Sequence, residues 1–377
     1  MGHPAFRYAA GVMRTRVLFS SILLILVPGG AAFGQTLGQA SGPWILEKSG
    51  TTAGLRGIHA VGGGVAWASG TNGTVLRTED GGYEWQSCAM PPGAEKLDFR
   101  GIWAWDDNTA IVMASGTGDA SRIYKTVDGC SSWKLLFTNP DKDGFWDAMV
   151  FAGRNFGWLL GDPVNRHFSL WRTTSAGKQW LREAQGRTLR ADPKSQGAFA
   201  ASNTALNVNE AAAGYPLFGS GGLGGAFVYR IEGVTICLDD CNQPPRDDWK
   251  KSITPIAAGT TSAGIFSIGA NGSLIVAVGG DYTKPNESAG TAAWSADGGK
   301  TWTAAAKPPH GFRSAVAWDA DAKAWIAAGT NGSDISYDDG KTWVQLDDGN
   351  WNALSLPWVV GPDGRIAKLD AGKVKKP

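Results

Sequence analysis

Thr78-Glu79-Asp80-Gly81-Gly82-Tyr83-Glu84-Trp85 decides how this chain folds, because the same phrase returns along it. The pattern Ser/Thr-x-Asp-x-Gly-x-x-Trp runs again from Thr126 through Asp128 to Trp133, from Ser295 through Asp297 to Trp302, and from Ser336 through Asp338 to Trp343. A weaker copy runs from Thr173 to Trp180 with Ser175 in place of the Asp. Each element has a local task. The Asp carboxylate caps a tight turn, the Gly permits positive φ, and the Trp starts the next strand and packs back over the hairpin. The phrase is therefore a folded hairpin, and the residues Asp80, Trp85, Asp128, Trp133, Trp180, Asp297, Trp302, Asp338 and Trp343 are read as structural.

Two further Trp share the strand-starting setting: Trp249 in Asp247-Asp248-Trp249-Lys250 and Trp44 in Pro43-Trp44-Ile45-Leu46. Trp44, Trp85, Trp133, Trp180, Trp249, Trp302 and Trp343 are separated by 41, 48, 47, 69, 53 and 41 residues. Such spacing fits one four-stranded blade per Trp, with longer loops in the fourth and fifth. The reading is all-β: a single seven-bladed β-propeller over residues 43–371. Trp351 to Asp370 supplies three strands and Trp44 begins an orphan outer strand, so the two are expected to share the last blade and remove two exposed edges. The fourth blade has no copy of the turn phrase.

Composition agrees. The 53 Gly and 18 Trp suit many tight turns and short strands that bury large aromatics. Charged residues are 18% and the formal net charge is +1, which leaves no electrostatic footprint for nucleic acid. Residues 1–34 read as a signal peptide, with Arg7, Arg14 and Arg16 before the apolar run Val17 to Val27 and small residues after it. The run is too short to span a bilayer, so the mature chain is expected to be periplasmic or extracellular, monomeric and free of stable membrane insertion. Residues 372–377 are a short basic tail. Of Cys88, Cys130, Cys237 and Cys241, the last two are close enough to staple a hairpin as a disulfide in an oxidising compartment. No metal site is expected, since His3, His59, His167 and His310 are scattered away from that pair. No cofactor is expected either: no dinucleotide fingerprint, haem-attachment motif or metal-ligand cluster is present.

Five blade starts align: Leu55-Arg56-Gly57-Ile58, Phe99-Arg100-Gly101-Ile102, Trp146-Asp147-Ala148-Met149, Phe312-Arg313-Ser314-Ala315 and Trp351-Asn352-Ala353-Leu354. If these are innermost strands, their second residues ring the mouth of the central channel: Arg56, Arg100, Asp147, Arg313 and Asn352. The loops between second and third strands open on the same face and add Asp162, Arg166, Asp281, Tyr282 and Asp334. The Gly161–Phe168 and Gly279–Gly290 loops are expected to project furthest and to carry recognition. Three Arg near one axis suit a carboxylate or phosphate. Alternatively, they pair with Asp147, Asp162 and Asp281 and fill a polar channel mouth. The face is the expected binding surface for a protein or a small polar or anionic ligand, with no catalytic residue assigned.

In its order of residues the turn phrase resembles the Asp-box, or BNR repeat, of sialidases, sortilins and related propellers. Phe145-Trp146-Asp147-Ala148, Leu160-Gly161-Asp162-Pro163, Ala198-Phe199-Ala200-Ala201-Ser202, Gly264-Ile265-Phe266-Ser267, Val278-Gly279-Gly280-Asp281-Tyr282 and Gly332-Ser333-Asp334 resemble bacterial proteins related to the plant photosystem II stability/assembly factors. That similarity covers nearly the whole mature chain and implies a seven-bladed scaffold acting in assembly or binding. A carbohydrate-active hydrolase, glycosidase or sialidase-like, is the alternative. A sialidase, however, would need six blades, an Arg-Ile-Pro-type segment and a Tyr-Glu pair. An Asp-box xyloglucanase would need two carboxylates across a cleft between two propellers.

Overall fold

Every copy of the repeated phrase closes on itself in the same way. Gly82, Cys130, Gly177, Gly299 and Gly340 donate their backbone N–H to the hydroxyls of Thr78, Thr126, Thr173, Ser295 and Ser336 at 2.9–3.1 Å. Asp80, Asp128, Asp297 and Asp338 accept the amide four residues on, at 2.8–3.1 Å, and the Ser175 hydroxyl accepts that of Gln179 at 2.9 Å. Two successive residues in each turn take positive φ, 77° and 97° at Gly81 and Gly82 and 65° and 63° at Gly129 and Cys130. The hydrogen bonds favour the ionised carboxylate: the hydroxyl and amide of Ser132, then Thr126, hold the Asp128 pKa down to about 2. Six of the seven strand-starting Trp are buried, and Trp302 is half-buried.

The computed structural model describes residues 42–183, 186–209, 215–231 and 249–374. The expected signal segment, residues 1–34, and the Cys237–Cys241 pair lie outside them. The described strands, β1 to β28 in chain order, form seven antiparallel four-stranded sheets. The innermost strands are β2 (Leu55–Gly62), β6 (Phe99–Ala104), β10 (Trp146–Ala152), β14 (Leu206–Asn209), β18 (Ala263–Asn271), β22 (Ala315–Asp319) and β26 (Ala353–Ser355). Blades 1 to 6 each run outward over four consecutive strands. The fourth blade forms like the others although it lacks the turn phrase, its outer strand β17 (Trp249–Ile253) beginning at the buried Trp249.

Blade 7 has the order β1-β28-β27-β26. Its outer strand is β1 (Trp44–Glu47), in register with β28 (Ile366–Leu369) from Trp44↔Leu369 to Glu47↔Ile366. The Trp44 indole packs beside Trp351 at 6.1 Å and donates to the Ser333 hydroxyl of blade 6 at 2.9 Å. The first strand thus ties the last blade to its neighbour.

Cores lie between blades rather than at the axis. The middle-strand Trp67, Trp158 and Trp325 are almost fully buried, and the Trp67 indole donates to the Asp106 carbonyl of the next blade at 3.0 Å. Blades 1 and 2 are also joined covalently by a Cys88–Cys130 disulfide across 42 residues. In blade 3, β11 (Phe156–Val164) and β12 (His167–Thr173) extend through most of the expected Gly161–Phe168 loop and leave only the Asn165–Arg166 turn. Pairing resumes at Pro163↔Phe168 after a bulge, so strand hydrogen bonding continues where Gly161, Asp162 and Pro163 suggest a break. Blade 5 keeps its long loop, residues 282–291, between β19 (Leu274–Asp281) and β20 (Ala292–Ser295).

Candidate functional site

Arg56 and Arg100 begin neighbouring inner strands and reach one carboxylate. Arg100 Nε donates to Asp98 Oδ2 at 2.8 Å, and Arg56 Nε lies 3.9 Å from Asp98 Oδ1. Both guanidiniums remain partly exposed, and together with Asp98 they leave one positive charge at the axis. Burial lowers the Arg56 pKa, the Asp98 charge opposes this, and Arg100 adds to it.

Arg313 sits apart from them. It is fully buried, donates through Nε to Asp334 at 2.7 Å, and donates through Nη1 to Asn331 Oδ1 and the Phe312 carbonyl at 2.6 Å. Its remaining nitrogen faces His310, which also contacts Asp334 at 2.9 Å. Arg313 and Asp334 are thus a closed structural knot in blade 6. Asn352 is engaged as well, its amide donating to the Leu55 carbonyl at 2.8 Å across the closing blade. Neither pairing follows the complementary charges read from the sequence: the arginines use Asp98 and Asp334.

Asp147 is buried, and its Oδ2 has no hydrogen-bond partner among the described residues. Burial drives its pKa well above the ordinary range, the nearby Asp162 charge adds to this, and Arg100 offsets part of it. Asp162 is itself raised to about 6 by burial, against the lowering effect of the Ala198 N–H that its Oδ1 accepts at 3.0 Å. The site of Asp147 therefore favours its protonated form. Asp162 lines a cavity of about 330 Å³ together with Phe199 and Thr261.

Asp281 holds the base of the blade 5 loop. It accepts the Thr283 amide and hydroxyl at 3.0 and 2.7 Å and the Thr260 hydroxyl at 3.2 Å. Burial opposes ionisation, yet these bonds, Thr283 foremost, keep its pKa at about 2. Beside it, Tyr282 is 53% exposed and sits edge-on to Phe266 at 6.1 Å. Phe266 stacks on Phe199 at 4.0 Å and meets Phe312 at 4.7 Å, so an aromatic cluster links blades 4, 5 and 6. Arg166 projects from the turn of blade 3, exposed and away from the axis.

The ring of inner-strand residues does not surround an open channel. Residues 198–205 cross it before β14 begins. Arg100 Nη1 donates to the Ala200 carbonyl at 2.8 Å, and Asn203 pairs both amide atoms with the Met149 backbone at 2.8 Å. The Ser202 hydroxyl donates to the Ser314 carbonyl at 2.6 Å, and Thr204 meets Ser267 at 2.7 Å. The segment thus contacts blades 2, 3, 5 and 6. A β-carbon on Gly101 would stand 2.7 Å from Asn203 Oδ1, so glycine there makes room for the crossing.

Beyond the crossing, toward the C-terminal ends of the inner strands, lies a cavity of about 670 Å³ lined by His59, Trp103, Asn207 and Trp318. His59 Nδ1 accepts the Ala104 N–H at 3.3 Å, burial lowers its pKa to about 4, and its ring packs 4.2 Å from Trp103. The neutral ring therefore carries its proton on Nε2. Sequence reasoning missed both the crossing and the aromatic cluster. The run of small residues Ala198, Ala200, Ala201 and Ser202 was the available signal.

No family model matches the chain, and no curated protein matches it. Solved structures do. One is YCF48 bound to D1 peptide, 17% identical, covering 87% of this chain and 96% of that one at a TM-score of 0.58. Another is YCF48 from Cyanidioschyzon merolae, 18% identical, covering 87% of this chain and 98% of that one, also at 0.58. At such identities the likeness is one of fold, and this chain shares with YCF48 the architecture of an all-β, seven-bladed propeller.

Proposed function

We propose that this chain is an exported, non-enzymatic binding propeller that holds a segment of a protein partner at the face carrying Arg56, Arg100 and Tyr282. The observation that carries the reading is the shared fold with YCF48, a solved structure of which is bound to D1 peptide. The face supports it chemically. Arg56 and Arg100 share one carboxylate and keep donors for an anionic group on the partner, and Tyr282 offers an exposed ring on the long loop of blade 5. The five equivalent turns support reading the repeats as Asp-boxes. The N-terminal apolar segment and the Cys88–Cys130 disulfide support export to an oxidising compartment.

The test uses the full chain immobilised against the exported protein fraction of its source, beside Arg56→Ala/Arg100→Ala and Tyr282→Ala. A partner retained by the parent and lost by these variants is the expected result. Equal retention by all three would place the surface elsewhere. Fractionation of cells checks export, with the chain expected outside the inner membrane and shortened at its N-terminus.

A second reading, hydrolysis of a glycan, draws on Asp147 and Asp162, two neighbouring carboxyls with raised pKa values. Asp162 lines a cavity, whereas Asp147 is 1% exposed, so one of the two acids is out of reach of a substrate. Turnover of a glycan that disappears in Asp162→Ala would make this the better reading.

A further inference from the structure

A cavity of about 400 Å³ lies between blades 3 and 4, away from the axis, lined by Arg166, Arg190, Asp192, Phe227 and Lys251. Its two guanidiniums come from backbone that is tied together. Ala191 donates its N–H to the Arg166 carbonyl at 3.0 Å, and His167 and Arg190 form an isolated antiparallel bridge. Lys251 enters from the outer strand of blade 4 and is held over the Phe227 ring, 4.1 Å from its centroid. Among the described residues, none of the three cations pairs with a carboxylate. Asp192 is the one acid in the lining, and it is already engaged, its Oδ1 accepting the Lys194 N–H at 3.0 Å.

Arg166 has φ of 66°, a left-handed conformation that disfavours any side chain with a β-carbon, in a turn where glycine would serve. A strained arginine beside a second arginine and a lysine marks the turn as built for its side chain rather than for its backbone. Three cations against one carboxylate leave a local charge of two, which matches a dianion.

We propose that this cavity is a ligand site of its own, for the dianionic oxyanion group of a phosphate monoester. Arg166 and Arg190 present forked donors to the oxygens, and Lys251 supplies a compact charge from the opposite wall. The site does not depend on the partner-binding face, because it uses neither Arg56, Arg100 nor Tyr282.

Inorganic phosphate and sulfate, titrated separately into the full chain by calorimetry at low ionic strength, test it. Saturable binding of one ion per chain is expected, weakened about tenfold or more in Arg166→Gly/Arg190→Gln and in Lys251→Met, and unchanged in Arg56→Ala/Arg100→Ala. Sulfate, a tetrahedral dianion throughout the accessible pH range, serves as the charge reference for phosphate. Phosphate affinity is expected to fall when the solution is taken below the second pKa of inorganic phosphate, whereas sulfate affinity is not. Arg166→Gly is expected to melt no lower than the parent, which separates loss of the site from loss of the fold. No saturable binding of either ion up to about 10 mM, or binding that the arginine and lysine variants leave unmoved, would overturn the proposal. Phosphate binding unchanged below its second pKa would overturn the dianion assignment.

Discussion

Asp162 is the residue whose chemistry most exceeds what its position in the sequence suggested. Its pKa rises from the ordinary 3.8 to about 6 because burial penalises the charge, so the folded chain holds this proton more tightly than the unfolded one. Ionisation therefore costs stability as pH climbs from about 4 through about 6, and the whole deficit is present above that. Asp162→Asn keeps an oxygen for the Ala198 N–H and removes the charge. The variant is expected to be more stable than the parent by about 2–3 kcal/mol at neutral pH, with the gain gone well below pH 4. Denaturant melts at the two pH values check this, and a gain independent of pH would mean that Asp162 is not the group that titrates. Ala176 is a second residue with a defined cost, holding φ of 55° where Gly81, Gly129 and Gly298 stand in equivalent turns. Ala176→Gly is expected to raise stability by about 0.5–1 kcal/mol, read as a higher melting temperature. The turn residues were legible because their partners are within a few positions of one another. Asp147 was not, because its burial against Asp162 is set by packing between strands that the sequence leaves unranked.

Among the elements, the turns were written most plainly and their variations least. Cys130 occupies a turn position that is glycine in the other four copies, and it keeps the left-handed φ of 63°. That exchange signals a side chain with a task, and the task is the bond to Cys88 that joins two blades. Nearness in sequence draws attention to Cys237 and Cys241, which lie outside the described residues, and gives no sign of this longer-range bond. Closing a loop of 42 residues contributes about 2–4 kcal/mol. Cys88→Ala is expected to lose that amount, while Cys88→Ala/Cys130→Gly recovers about 0.5–1 kcal/mol of it by relieving the backbone. Thermal melts of the two variants give the order, and equal stability would show that Cys130 carries no strain. Blade 3 teaches the converse. Gly161, Asp162 and Pro163 are strong loop formers, yet a bulge between Gly161 and Pro163 lets the ladder continue to Val164. Local propensity gave way to pairing with Phe168 and His167, a partner strand that composition alone does not reveal.

At the scale of the molecule, seven strand-starting Trp and an orphan strand at Trp44 sufficed to count the blades and to close the ring. The crossing of the channel by residues 198–205 left no periodic trace, since its bonds span 54 to 112 residues and mostly engage backbone groups. Closure has a measurable consequence. β1 covers the edge of β28, buries Trp44 to 2% exposure beside Trp351 and Leu369, and reaches Ser333 in blade 6. Deleting residues 43–48 uncovers an open strand edge and removes one of the two tryptophans of that core. Trp44→Ala alone is expected to cost about 3–5 kcal/mol. The deletion is expected to cost more, because it also removes the four paired residues between Trp44 and Glu47. If the ring unfolds as one unit, both variants lower a single transition in calorimetry, with every spectroscopic probe shifting together. A separate early transition confined to blade 7 would show that the remaining blades stand without closure. A deletion that melts with the parent would show that the closing strand contributes nothing.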